Sequence, residues 1–560
     1  MMIMNFRFEV LASMKYTSLV CLLLAFLILS SSAFAEDLAL ARASKYPLSE
    51  NGEAMVNDVE FFGSAASGHQ RVFYEIFVSS FSDSNGDGIG DLRGIINRMD
   101  YLNDGDPQSG LSLGVEGLWL TPIFASPSYH KYDVSDYYSI DPSFGSEEDL
   151  IELLALCHER NVLVILDLPI NHTGDQNKWF QNFKNAHLLH NPDSIYYDLY
   201  SWVESDGKVP AGRHFTSMRG TNESYESNFS DNMPELNYDN ELARSYALDV
   251  AKYYLNLGVD GFRFDAAKYI YFGDHKKSAE FWNWFSSELR KIKSDVYLVG
   301  EVWDSDGVTD LYETAFNCFN FTTSQASGLI AETAKAGNAN RFTAYVQEYA
   351  QRVKSIREDA CYTPFIANHD TDRAAGYLTV SNGQAKMAAN LYLLGPGSPF
   401  IYYGEEIGLR GSRGGANTDA NRRLKMLWGD GDTVQNPIGA TYDDSKQTPY
   451  SVKDLLSNGD SLYTHYKRLL MLRNANPEIY TGVYRALDLK DTKLGGFVSS
   501  AESGTVAVLH NATNRELRLS IESVPELGGM SVAAFIGLGE ASLSGDDLTV
   551  GGQTSVILRK

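Results

Sequence analysis

Val162-Leu163-Val164-Ile165-Leu166-Asp167 is a run of five apolar residues that stops at an acid. A run without alternation reads as a strand buried on both faces, the pattern of a parallel sheet covered by helices. The same shape recurs on either side. Val72-Phe73-Tyr74-Glu75-Ile76-Phe77-Val78 and Val115-Glu116-Gly117-Leu118-Trp119-Leu120 precede it. Gly261-Phe262-Arg263-Phe264-Asp265 and Tyr297-Leu298-Val299-Gly300-Glu301 follow it. Helical stretches at 150–159, 243–257 and 281–292 fall between these runs. Strands alternating with helices predict an α/β fold, a (β/α)8 TIM barrel. The strands end in Asp167, Asp265 and Glu301, and Asp370 comes shortly after Phe365-Ile366-Ala367. Barrels build their active sites at that end of their strands. A doubly wound sheet is the alternative, but no Gly-rich nucleotide fingerprint follows a first strand.

At 560 residues the chain has room for more than this barrel. Lys15 precedes an apolar run from Leu19 to Leu29, then Ser30, Ser31 and Ser32, then Ala33-Phe34-Ala35. That order describes a secretory signal peptide over 1–35, too short in its apolar part to span a bilayer. A secreted or periplasmic protein without a stable membrane anchor is expected. Residues 36–70 read as an N-terminal extension. The barrel is assigned to 71–172 and 238–475. Between them, 173–237 is rich in Asn, Asp, Tyr and Ser and too long for an ordinary connection, so it reads as an inserted subdomain after the third strand. Residues 476–560, short strands punctuated by Gly, Asn and Asp, predict a C-terminal antiparallel β-sandwich.

The net charge of −25 argues against nucleic acid and anionic lipid as partners and suits a neutral substrate. Beyond the signal, Cys157, Cys318 and Cys361 remain. They allow one disulfide at most and no zinc-like spacing.

Two constellations carry chemistry. Asp83, Asn85, Asp87, Ile89 (through its carbonyl) and Asp91 offer oxygens at every second position, with glycines between them. A hard cation such as structural Ca²⁺ takes several oxygens in that way. The stretch imitates the start of an EF-hand loop, but its twelfth position is Gly94, where that loop needs a bidentate Glu. The bland alternative is a polar turn. The second constellation is the set of strand-end carboxylates. Glycoside hydrolysis needs one carboxylate as nucleophile and one carboxylic acid for the leaving oxygen. Each acid alone is a weak signal, since a strand-end Asp more often caps a helix.

The surrounding residues strengthen it. Asp167-Leu-Pro-Ile-Asn171-His172, Gly261-Phe-Arg263-Phe-Asp265-Ala-Ala-Lys268, Val299-Gly-Glu301-Val-Trp303 and Phe365-Ile-Ala-Asn368-His369-Asp370 resemble the four signature segments of the α-amylase family, glycoside hydrolase family 13, in order. The resemblance runs from about Arg71 to the C-terminus. It implies Asp265 as nucleophile, Glu301 as general acid then base, and Asp370 as the residue that grips the sugar at the cleavage point. It also implies Arg263 as the charge that keeps Asp265 ionised, His172 and His369 as hydroxyl ligands, and Tyr132 as a stacking platform. Lys268 and Trp303 would meet the leaving-group sugar, and Asn171 is a candidate ligand for a second calcium. Met233-Pro-Glu235-Leu-Asn237 resembles the segment of intermediary and neopullulanase-like members, while the oxygen-rich loop is typical of oligo-1,6-glucosidases. The chain thus resembles bacterial α-amylases of the intermediary subfamily.

Exo-acting relatives carry an acid just before the stacking Tyr. Ser128-Tyr129-His130-Lys131-Tyr132 has none, which favours longer chains. The expected activity is retaining hydrolysis of α-1,4 bonds in starch, maltodextrins or maltooligosaccharides by a monomer. An exo-acting α-glucosidase, oligo-1,6-glucosidase or transglycosylase with the same triad is the alternative. A non-catalytic carbohydrate-binding or transporter-partner homologue is a remote one, because all three carboxylates are present.

Overall fold

The computed structural model describes residues 46–63, 68, 70–204, 207–489 and 493–560. The signal peptide expected at 1–35 lies outside the described residues. Seven strands form one parallel sheet: β1 (Phe73–Ile76), β2 (Gly117–Leu120), β3 (Leu163–Leu168), β4 (Gly261–Phe264), β5 (Tyr297–Gly300), β6 (Asn317–Cys318) and β7 (Phe400–Tyr402). Their order is β6-β5-β4-β3-β2-β1-β7. Residues 363–365 join the two edges through single parallel bridges, Phe319 to Thr363 and Phe365 to Phe400. They take the eighth place in the ring.

Strand side chains alternate between faces, and the two faces here do different work. Tyr74, Ile76, Leu118, Leu120, Val164, Leu166, Phe262, Phe264 and Leu298 point outward into the main core, under the helices. Phe73, Trp119, Ile165, Tyr297, Val299, Phe319, Phe365 and Phe400 fill the barrel interior with an apolar plug. Two residues further along the same inward rows stand Glu75, Asp167 and Glu301. Arg263 and Asp265 follow Gly261 in the same way on β4. The polar rim is thus the top layer of the inward-facing rows.

Helices α1 (Glu147–Glu159), α2 (Glu241–Leu257) and α3 (His275–Ile292) start earlier than the apolar pattern suggests. The side chains of Ser146, Asn240 and Asp274 accept the amides of Asp149, Leu242 and Lys277, so capping rather than hydrophobic period sets each start. The segment between β3 and α2 contains the helix Lys178–Leu188 and a three-stranded antiparallel sheet, Trp202–Glu204, Glu223–Glu226 and Phe215–Ser217. It returns to the barrel beside its own departure point: Thr173 N donates to Pro234 O at 3.0 Å and Leu236 N to Asn171 O at 3.1 Å.

Beyond the barrel lie β8 (Val483–Ala486), β9 (Leu494–Ala501), β10 (Gly504–Asn511), β11 (Leu517–Ser520), β12 (Ser531–Gly537), β13 (Ala541–Ser544), β14 (Asp547–Val550) and β15 (Thr554–Arg559). They form two antiparallel sheets, β8-β9-β10-β15-β12 and β11-β14-β13. Val498, Ala507, Leu509, Val556 and Leu558 pack on Leu517, Leu548 and Val550 in a core of their own. Phe497, Val506, Val508 and Ile557, on the other face, belong to the barrel's core. The stretch before β1 is less free than its weak pattern suggests: Tyr46, Ala54 and Val56 pack against Met471. Cys157, Cys318 and Cys361 are free thiols and buried. Among the described residues no helix is long and apolar enough to cross a membrane.

Candidate active site

Arg263 is the centre of the rim. It is fully buried, and its Nη1 donates to both oxygens of Asp167, at 2.8 and 2.9 Å, and to Asp265 Oδ1 at 2.7 Å. Its Nη2 donates to Glu301. One planar fork therefore holds acids from three neighbouring strands, which a point-charge ammonium could not do. Ala266, directly after Asp265, is left-handed (φ 46°), and Ala267 N donates to Glu301 O at 3.0 Å. This turn joins the end of β4 to the end of β5, with a strained residue at the site. Burial pushes the Glu301 carboxyl up to about 7; Arg263 opposes this, while Asp265 and Asp370 reinforce it.

On the other side, Asp370 accepts from Arg423 Nη2 at 2.7 Å and lies 2.9 Å from His369 Nε2. Burial would raise the Asp370 carboxyl, but His369, Arg423 and Arg263 hold it well below the usual range. Tyr132 stacks on His369, with ring centroids 5.6 Å apart and planes at 12°. Its hydroxyl donates to Asp167 Oδ2 at 2.8 Å and lies 2.7 Å from His369 Nε2. Lys131, just before it, is left-handed as well (φ 66°). His172 differs from His369. Burial lowers its pKa, opposed by the charge of Asp265 and by the Tyr132 backbone. A buried imidazole that lines the cleft is suited to meeting a hydroxyl group.

Asp265, Glu301, Asp370, Tyr132, His172, Lys268 and Trp303 all line one cleft of about 1030 Å³. Arg263 and His369 stand directly behind it. Lys268 is less available than expected: its Nζ donates to Trp303 O at 2.7 Å and pairs with Asp304 at 3.1 Å. Trp303 is 40% exposed and stacked on Phe321 at 4.7 Å, so one ring face is already packed. Tyr129 and Arg423 also line the cleft, with Arg423 Nη1 donating to the Tyr129 hydroxyl at 3.1 Å.

Sequence reasoning missed Arg423 and Glu75. Arg423 sits in irregular chain after β7 with no pattern to single it out. Glu75 did carry a signal, as an acid in the middle of an otherwise apolar run.

The oxygen-rich loop does not gather its acids in this structure. Asp83 Oδ1 accepts the amides of Asn85 and Gly86, and its Oδ2 accepts Gly88 N and Thr433 Oγ1. Asp91 caps the helix Leu92–Asn97 through Gly94 N at 2.6 Å. Asn85 and Asp87 accept the amides two residues ahead, and Ile89 is partly exposed. Among the described residues no group of three or more His, Cys, Asp or Glu side chains is placed to hold a metal ion. The donor set remains all oxygen, which is the chemistry of a hard cation.

The family model described as Alpha amylase, catalytic domain, matches residues 75–482. The chain belongs to the α-amylase family. It is an enzyme of that family, whose members act on O-glycosyl bonds. It is 34% identical to Alpha-amylase 3 of Dictyoglomus thermophilum over 458 residues, covering 80% of this chain and 85% of that protein. A 4-alpha-glucanotransferase of Thermotoga neapolitana is 29% identical, over 79% of this chain and 96% of that one. Among solved structures, Eubacterium rectale Amy13B superimposes with a TM-score of 0.81 at 30% identity, over 89% of this chain and 96% of that one. The α-amylase from H. orenii gives 0.75 at 36%, over 88% and 100%.

Proposed function

We propose that this member of the α-amylase family hydrolyses α-1,4-glucosidic bonds of starch, maltodextrins or maltooligosaccharides with retention of anomeric configuration. The observation that carries the reading is the Arg263 fork, which holds Asp265 and Glu301 side by side on one guanidinium. Asp265 attacks the anomeric carbon while Glu301 gives its proton to the departing glycosidic oxygen, and the carbon–oxygen bond breaks. Glu301, now a carboxylate, takes a proton from water; the hydroxide oxygen bonds to the anomeric carbon and releases Asp265. Burial of Glu301 supports its acid role, and the Arg263 contact orients Asp265 for attack. His172, His369 and Asp370 hold hydroxyls of the reacting sugar, and Lys268 and Trp303 bound the leaving-group side.

The cleft lies at the top of the ~300–1,000 Å³ usual for small-molecule sites. The loop before Tyr132 lines it with Tyr129 and His130 and no acid, which supports binding of chains longer than a disaccharide. The decisive experiment is digestion of soluble starch and of a maltoheptaoside blocked at its non-reducing end, with products resolved over time and their anomeric form followed by proton NMR. Early α-configured maltooligosaccharides from both are expected. Glucose alone from starch, with the blocked substrate untouched, would replace the reading by an exo-acting glucosidase.

Two further parts belong to the same proposal. The chain is exported and monomeric, which N-terminal sequencing of the secreted protein and light scattering check. The loop Asp83, Asn85, Asp87, Ile89 and Asp91 takes a structural Ca²⁺. Millimolar Ca²⁺ should raise Tm by a few degrees over chelator-treated protein, and an unchanged Tm in both would remove the metal.

A further inference from the structure

Glu75 touches none of the three carboxylates and has no part in the steps above. It lies on the inward face of β1, beyond Phe73, and is 1% exposed. An unpaired carboxylate at such a place would be costly. Its partner is His369. The ring Nδ1 lies 2.6 Å from Glu75 Oε1, and the His369 backbone amide reaches the same oxygen at 3.3 Å. At the other ring nitrogen, Nε2, Asp370 Oδ2 lies 2.9 Å away and the Tyr132 oxygen 2.7 Å away. The Tyr132 proton is committed to Asp167. Both ring nitrogens therefore face acceptors. A neutral imidazole has one N–H, and would aim a lone pair at a carboxylate on one side or the other. The imidazolium alone satisfies both.

We propose that Glu75 is a positioning residue: it keeps His369 doubly protonated, so that the other ring N–H holds Asp370 in place against the sugar being cleaved. This rests on the reading of His369 and Asp370 as sugar-holding groups. Charged and titratable groups surround the ring from every side: Glu75 on β1, Tyr132 after β2, Asp167 on β3, Arg263 and Asp265 at β4, Glu301 after β5, Asp370 beside it, and Arg423, whose Nε donates to His369 O at 3.1 Å. Arg373 stands over the Tyr402 ring at 4.1 Å, on the β7 side of Glu75. Burial pushes His369 down, but Asp370 and Glu75 outweigh it and carry the ring up to about 10.

Glu75→Gln keeps the shape and one acceptor oxygen and removes the charge. In wild type Glu301, at about 7, sets the alkaline limb of kcat/KM; in Glu75→Gln the charged imidazole should be lost below that value, so the limb should move down by about one pH unit or more and steepen, with activity at pH 5 within about twofold of wild type and kcat at pH 7.5 lowered about tenfold. KM should change less than kcat. A profile of unchanged shape, whether at full activity or uniformly reduced, overturns the proposal. In a His369→Asn background the Gln substitution should leave the profile unmoved; a shift that persists there overturns it too. A second readout needs no Glu75 variant. In ¹³C-histidine-labelled wild type, the resonance missing from His369→Asn should keep its charged-form position to pH 8, and titration near the ordinary histidine value overturns the proposal. Wild type that hydrolyses no glucan at any pH would instead remove the hydrolase reading and leave the NMR result standing.

Discussion

In the proposed mechanism Arg263 sets the division of labour between two acids on adjacent strands. Asp265 meets the guanidinium at 2.7 Å through Nη1 and Glu301 meets it through Nη2. The site still pushes Glu301 up to about 7, because burial and the charges of Asp265 and Asp370 outweigh that contact. As the proposed proton donor Glu301 must be protonated to act, so activity should be held below this value and lost as pH rises through it. A kcat/KM limb near pH 7 is the expected result, and a limb beyond pH 9 would show that Glu301 is not the proton donor. Glu301→Gln should lower kcat on starch ~10²–10⁴-fold. The loss should shrink on an aryl glycoside whose leaving group needs no proton, whereas Asp265→Asn should be inactive on both. Equal losses on the two substrates would place the donor elsewhere. Much of this rim was legible in the sequence, because a strand-end acid is visible after an apolar run. The partner that fixes Asp370 was not, because Arg423 comes from irregular chain whose course depends on tertiary packing.

At the scale of elements, the rim depends on how closely β4 approaches β5. A Cβ on Gly261 would stand 1.8 Å from Tyr297 O, so the two strands pair in register only because no side chain is there. Gly261 begins the strand that presents Arg263 two residues on. Gly261→Ala should push β4 off β5, cost ~1–3 kcal/mol or more of stability, and loosen the fork. Denaturant unfolding with a kcat measurement tests this. Wild-type stability with normal kcat would show that the sheet absorbs the methyl group. The barrel strands were the most readable elements, since burial on both faces leaves an unbroken apolar run. The small sheet of the insertion was not, because Trp202–Glu204 and Phe215–Ser217 are half exposed and carry no clear alternation. The helix starts were misplaced for a different reason. Ser146 and Asp149 form a reciprocal cap that is written in the sequence but not in its hydrophobic period.

For the molecule as a whole, buried acids set how stability responds to pH. Burial raises Glu301, Glu235 and Glu405 to about 7 and Glu313 to about 8, against 4.5 for an ordinary glutamate. They sit in different places. Glu235 lies where the insertion returns, Glu405 follows β7 and receives the hydroxyls of Tyr392 and Tyr466, and Glu313 accepts Cys318 N beside β6. Each binds its proton more tightly folded than unfolded. Each therefore adds stability that is full below about pH 4.5 and is lost as pH rises towards 7 or 8. His369, raised to about 10, adds a term of the same sign that begins to fade above the ordinary histidine value. Asp370, Asp260 and Asp141, whose pKa values are lowered, act oppositely below their ordinary value of 3.8, and His130 and His510, lowered by burial to about 4 and 3, act oppositely below 6.5 and offset part of the glutamates' gain. The two sets leave a maximum between them. Tm should peak near pH 5 and fall steadily to pH 9, with Glu313→Gln flattening the upper part of the fall. A Tm that rises from pH 5 to 8 would mean that these carboxyls ionise in the folded protein without cost.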